Sequence, residues 1–116
     1  MNIANKNILA KLIRKNQGNI RLLKAVKQLI KEIEESSWST PHELVEKRPD
    51  ADCVSSGGFY FFNINIHRTL ILIEFEENSE ATIVWAGSHD SYELIFKNNR
   101  NVIRKWLKDN NWIKKE

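Results

Sequence analysis

The residues best suited to acid–base chemistry stand at two points of a stretch rich in β-branched and aromatic residues, which runs from Phe59 to Tyr92. His67 and Arg68 open its second apolar run, and His89 and Tyr92 follow its third. Imidazole titrates near neutral pH and can take or give a proton. Guanidinium binds phosphate oxygens through a bidentate fork, and a tyrosine can stack on a base or donate a proton. We therefore predict that these four residues form a catalytic group beside a bound phosphate.

Other common chemistries lack their sequence signatures. The three histidines are far apart and no second cysteine is present, so we expect no metal site. Gly57-Gly58 has no following Lys of the kind a phosphate loop needs, and no serine-hydrolase elbow exists. We expect no cofactor. Acid–base cleavage of RNA by its own 2′-hydroxyl fits what remains, because it needs proton transfer and cations on the phosphorane.

Each candidate also has a structural explanation, which the sequence leaves open. His67 and Arg68 could be polar residues at a strand edge. His89 could lie in a loop before a capped helix, and Tyr92 could be amphipathic core.

The net charge of +3 conceals a segregation of charge. Residues 1–31 contain eight basic residues and no acidic one, whereas 32–96 contain three basic and 13 acidic residues. Basic ends suit a polyanion, although lysine-rich helices are also simply solvated. The basic residues that we predict to contact RNA lie in a long amphipathic helix and in the C-terminal tail: Lys24, Lys27, Lys31, Lys97 and Arg100.

The order of elements predicts an α+β fold, with N-terminal helices packed on an antiparallel sheet of three to four strands and a C-terminal helix. The 116 residues suffice for one domain. It divides into a helical pair at 1–37, a short helix and lead-in at 38–58, a sheet at 59–90 and a helical tail at 91–116.

Periodicity and turn residues place the individual elements. The predicted strands are 59–65, 67–76 and 81–88, with a tight connection at Asn65–Ile66 and a polar loop at Glu77–Glu80. The predicted helices are one capped by Asn5 or Asn7, one from Asn19 to about Ser36, one at Pro41–Lys47 and one at 98–110, the last preceded by a short turn at Ser91–Lys97. Both faces of the sheet are apolar, so both must be covered.

No apolar run is long enough to span a membrane and no signal core is evident, so we expect a cytoplasmic protein. Cys53 is the only cysteine, and we expect it to be a small core residue.

An ordered set of short motifs resembles the HigB group of type II toxins, within the RelE-like superfamily. The set covers about residues 36–95. It consists of Trp38, Arg48-Pro49-Asp50-Ala51-Asp52-Cys53-Val54, Phe62-Asn63-Ile64, His67-Arg68-Thr69-Leu70-Ile71 and Gly87-Ser88-His89-Asp90-Ser91-Tyr92-Glu93. The chain departs from the group in its short Asn65-Ile66 turn, in Ser88 where threonine is usual, and in its long helical tail.

The resemblance implies an mRNA interferase that cuts message, usually on the ribosome. It also implies a helix-turn-helix antitoxin as partner, through which alone operator DNA would be bound. Arg68 would meet phosphate, and His89 and Tyr92 would complete the site. A non-catalytic RNA- or protein-binding module on the same fold is the alternative.

Overall fold

The computed structural model describes residues 1–76 and 79–114. Its strands are β1 Asn2–Ala4, β2 Asp52–Ser55, β3 Phe59–Ile64, β4 His67–Glu74 and β5 Glu80–Ser88. Its helices are α1 Lys6–Lys15, α2 Ile20–Glu34, α3 Pro41–Lys47, α4 His89–Phe96 and α5 Arg100–Asp109. The α+β class is confirmed.

The five strands form one sheet in the order β1-β5-β4-β3-β2. Strands β2 to β5 are an antiparallel meander, and β1 pairs in parallel with the first residues of β5. The expected count of three to four strands was too low, and the sheet is not confined to 59–90. Strand β1 has only three residues and a partner at the far end of the sequence, so no local pattern announces it.

The hairpin between β3 and β4 is as tight as predicted. Ile64 pairs with His67, and Asn65 adopts φ 63°, a left-handed conformation that asparagine tolerates better than most residues. The loop expected at Glu77–Glu80 falls partly on residues 77 and 78, which lie outside the described part of the chain.

Helices cover both faces of the sheet. On one face, buried residues of α1, α2 and α3 pack on Tyr60, Phe62 and Ile71. On the other face, buried residues of α4 and α5 pack on Phe61 and Leu70. The second apolar face of the sheet is therefore covered by α4 and α5. Because Trp112 and Ile113 also pack there, the end of the chain folds back on the body as expected.

The starts of α2 and α3 follow local capping chemistry, whereas the Asn5 side chain does not cap α1 and donates instead to the Ile83 carbonyl. Asn19 Oδ1 accepts a hydrogen bond from the Leu22 N–H, and Thr40 Oγ1 accepts one from the Glu43 N–H with Pro41 next to it. Both starts were predicted. The segment expected to be a short turn at Ser91–Lys97 is instead most of α4, which begins at His89 because Ser88 caps it.

Cys53 is exposed and donates to the Ser55 carbonyl, so the expectation of a core cysteine was wrong. The described helices include none that is long and apolar enough to cross a membrane.

Candidate functional site

Arg68 lies on β4, opposite Gly87 of β5, and its side chain extends over the face covered by α4. Its guanidinium carbon stands 4.2 Å from the centroid of the Tyr92 ring. This is a cation–π contact, which holds the charge in place while the planar group keeps its donors for other partners. The residue is only partly buried.

Tyr92 has a buried ring, which contacts the Arg68 side chain. Its side chain is 1% exposed, with the rings of Phe61 and Phe96 at 4.9 Å and 5.8 Å between centroids. Its hydroxyl donates to Asn98 Oδ1 over 3.0 Å. Burial raises the pKa of the phenol, and Arg68 partly opposes that rise. The phenol is thus a neutral hydrogen-bond donor, and its ring supports Arg68. The ring is too deeply buried to stack on a nucleotide base, which was one of the roles considered for it.

His89 is the first residue of α4, directly after the cap. Its ring stacks on Tyr92 with centroids 6.1 Å apart and planes 16° from parallel. Its Nε2 stands 3.6 Å from Glu93 Oε1, one helical turn on, and 52% of its side chain is exposed. The imidazole therefore lies beside both the Tyr92 ring and the Glu93 carboxylate, and about half of its side chain is exposed.

The structure brings Arg68, His89 and Tyr92 together, and we call these three residues the Arg68–Tyr92 group. It does not bring His67 to them. Successive residues of a strand face opposite sides of a sheet. The side chain of His67 accordingly lines a cleft beside α1 on the far side, and the residue is 5% exposed. Its Nδ1 is buried without a hydrogen-bond partner, and burial lowers its pKa.

Arg100 and Lys97 flank the group differently. Arg100 Nη1 donates to the Cys53 carbonyl over 2.6 Å, and its Nη2 stands 3.7 Å from Asp52 Oδ1. It thereby ties the start of α5 to the edge strand β2. Lys97, in a left-handed conformation with φ 53°, ends α4 and is exposed.

The predicted RNA-contacting lysines of α2 lie elsewhere. Lys24, Lys27 and Lys31 are exposed, and α2 packs on the face of the sheet opposite α4. The basic stripe and the Arg68–Tyr92 group thus belong to different layers of the molecule.

Two acidic residues near the group were not singled out by the sequence reasoning. Glu93 pairs with His89, and their i,i+4 spacing on a helix could have revealed it. Asp52 lies near Arg100, and its charge is a minor cause that raises the pKa of Tyr92. Because Asp52 comes from a strand distant in sequence, no local sequence pattern could have predicted this interaction.

Arg48, in contrast, has a structural task. It pairs with Glu32 and Asp50 at 3.4 Å and 2.8 Å and donates to the Asn63 carbonyl, while Asp50 accepts from the Asn63 N–H. This network fixes the lead-in to the edge of β3. The Arg48-Pro49-Asp50 motif therefore has a role in stabilising the fold.

Among residues 1–76 and 79–114, no group of three or more His, Cys, Asp or Glu is placed to hold a metal ion. The arrangement brings together an imidazole, a guanidinium and a hydrogen-bonded phenol.

A family model described as HigB_toxin, the RelE-like toxic component of a toxin–antitoxin system, matches residues 23–95. The match covers most of α2, all of α3, strands β2 to β5 and most of α4. It leaves out β1, α1 and α5. A search of curated proteins gives no match.

Proposed function

The chain belongs to the HigB family of RelE-like toxins, and on this premise we propose that it is a metal-independent endoribonuclease that cuts messenger RNA on the ribosome. The observation that carries the proposal is the contact of Arg68 and His89 with one buried ring, that of Tyr92. A toxin of such a system has an antitoxin partner. We propose that the partner is a helix-turn-helix protein, that operator DNA is bound only through it, and that the toxin is cytoplasmic.

The reaction is transesterification by the 2′-hydroxyl. The 2′ oxygen attacks phosphorus while a base takes its proton, and the bond from phosphorus to the 5′ oxygen breaks while an acid or water protonates that oxygen. His89 is the exposed imidazole beside Tyr92 and moves a proton, held by the Glu93 carboxylate. Arg68 stabilises the charge that develops on the phosphorane oxygens, the role in which positioned cations contribute most.

Tyr92 and the C-terminal residues position this machinery. The phenol ring holds Arg68 and His89 at fixed places, and its hydroxyl bond to Asn98 ties them to the segment that starts α5. Lys97 is free to meet the RNA backbone beside the site, while Arg100 supports the β2 edge. His67, which lies on the opposite face, takes no part in this proposal.

A second candidate is an RNA-binding module without chemistry. The observation that favours it is the position of the basic stripe of Lys24, Lys27 and Lys31, which can hold RNA on the face away from Arg68. In that case the histidines have no role and the message stays intact.

One experiment separates the two functions. The purified protein is incubated with a defined message, with and without translating ribosomes, and new 5′ ends are mapped by primer extension. We expect discrete new ends in the ribosome sample. An intact message in both samples, at concentrations where the protein binds RNA, would establish the binding module and reject the nuclease.

A further inference from the structure

A second candidate site lies between α1 and α4, at the outer edge of β5, away from the Arg68–Tyr92 group. Strand β1 pairs only with residues Glu80 to Thr82, and within the described chain no strand covers the rest of that edge. The exposed edge is the floor of a cleft with a volume of about 670 Å³. We call it the α1–α4 cleft.

The charge of the cleft is positive. Asn7, Lys11 and Lys15 succeed one another every fourth residue, so they form one stripe of α1 along the cleft. The described residues that line it include no carboxylate. Two ammonium groups facing polar residues, without an acidic residue beside them, favour an anionic ligand.

His67 supplies the observation that points to a ligand. Its side chain lines the cleft while 95% buried, and its Nδ1 has no hydrogen-bond partner. A buried N–H without an acceptor is costlier and rarer than a buried lone pair. On this ground the proton of the neutral ring is assigned to Nε2, and the proposed ligand accepts a hydrogen bond from Nε2–H.

Hydroxyl groups complete the polar wall where α4 begins. Ser88 Oγ accepts from the Ser91 N–H and donates to Ser91 Oγ, both over 3.1 Å. The Ser91 hydroxyl hydrogen is then left to donate to a ligand in the cleft that both serines line. The first turn of α4 adds the partial positive charge of a helix N-terminus.

Apolar side chains share the cleft with these donors. Ile8 lies on the α1 wall, Ile95 on the α4 wall and Trp85 on the floor. The indole of Trp85 contacts the Phe96 ring edge-to-face at 5.1 Å between centroids and is still partly exposed, and the cleft holds much more than one phosphate group. A ligand with a phosphate beside a sugar and base fits these features better than a bare anion does.

We propose that the α1–α4 cleft binds a phosphate group carried by a nucleotide or by single-stranded RNA, with Lys11, Lys15 and His67 as its donors. This inference does not rest on RNA cleavage at the Arg68–Tyr92 group. The two sources of phosphate share one chemistry, and titration with different probes tells them apart.

The test is a nuclear magnetic resonance titration of the full chain, observing the His67 ring and the Ser88 and Ser91 amides. The probes are inorganic phosphate, 5′-AMP and a 2′-O-methyl RNA oligonucleotide, which cannot be cleaved through its 2′ oxygen. We expect these signals to shift. A shift with 5′-AMP identifies a nucleotide as a sufficient ligand, and a shift with the oligonucleotide alone identifies the RNA strand.

Matched double variants remove the same charge at two places. Lys11→Gln with Lys15→Gln should weaken binding about tenfold or more, since two charge-assisted contacts are lost. Lys105→Gln with Lys108→Gln, on α5, should leave it nearly unchanged. Arg68→Ala with His89→Ala should also retain the shifts, which keeps this result separate from cleavage. Unmoved His67 signals with all three probes, or equal losses in the two lysine pairs, would overturn the proposal.

Discussion

At the residue scale, adjacent side chains of β4 have different environments. Arg68 lies over Tyr92 on the α4 face, where it is partly exposed. His67 lies on the α1 face, where it is almost fully buried. The proposed phosphate site is therefore beside Arg68 and His89, whereas the buried imidazole of His67 is expected to affect the pH dependence of folding.

The first prediction concerns that pH dependence. Burial lowers the pKa of His67 below 6.5, so at acidic pH the unfolded chain takes up a proton that the folded chain resists. The stability from this group is complete above the unfolded pKa and is lost as pH falls below it, by up to about 1.4 kcal/mol per pH unit. We expect guanidinium denaturation at pH 7.5 and 5.5 to show a smaller pH effect in His67→Gln than in the wild type.

His42→Gln is the matched control, because His42 is exposed and paired with Glu46 on the surface. It should keep the wild-type dependence. An unchanged pH effect in His67→Gln would show that the buried imidazole does not contribute to it.

The separation of His67 from Arg68 could have been predicted. Strand alternation alone assigns neighbours to opposite faces once β4 is recognised. The contact of Arg68 with Tyr92 could not be predicted in the same way, because it depends on α4 turning back across the sheet. The sequence pattern predicted only a short turn at Ser91–Lys97, and only the fold shows that this segment is helical and what it covers.

At the element scale, short-range chemistry predicted more than long-range pairing did. Asn19 and Thr40 cap their helices as expected, since a cap depends on residues three positions apart. Strand β1 could not be predicted, because three residues carry no period and the partner is distant. Helix α5 was predicted, but its packing on the face of the sheet that carries Arg68 was not.

The second prediction tests that cover. Leu107 of α5 is fully buried against the sheet, so Leu107→Ala should lower the free energy of unfolding by about 2–5 kcal/mol through lost burial and a cavity. Leu94 of α4 is 79% exposed, and Leu94→Ala should change it by no more than about 0.5 kcal/mol. Chemical denaturation measures both. Equal effects in the two variants would mean that α5 does not pack as described.

At the scale of the whole molecule, the two helical layers carry different surfaces. The α1–α2 layer carries Lys24, Lys27 and Lys31 in one stripe, and the α4–α5 layer carries Arg68 and His89. The family match spans β2 to β5 and most of α4, and it leaves out β1, α1 and α5. We therefore expect binding properties that are particular to this chain to depend on β1, α1 and α5, which lie outside the match.

The third prediction is made for the cell. Expression of the chain without an antitoxin should arrest growth, because cleavage of translated message stops protein synthesis. The double variant Arg68→Ala with His89→Ala should restore growth at equal protein level, which blotting verifies. Full toxicity of that variant would place the site elsewhere.

The most direct measurement is the rate constant for cleavage of ribosome-bound message by purified wild type and single variants. We expect Arg68→Ala and His89→Ala each to lower it by about 100-fold or more, with 2′,3′-cyclic phosphate ends on the wild-type products. Arg14→Ala, an exposed change on α1, should leave it nearly unchanged. Wild-type rates in folded Arg68→Ala and His89→Ala proteins would contradict the assignment of these residues to the active site.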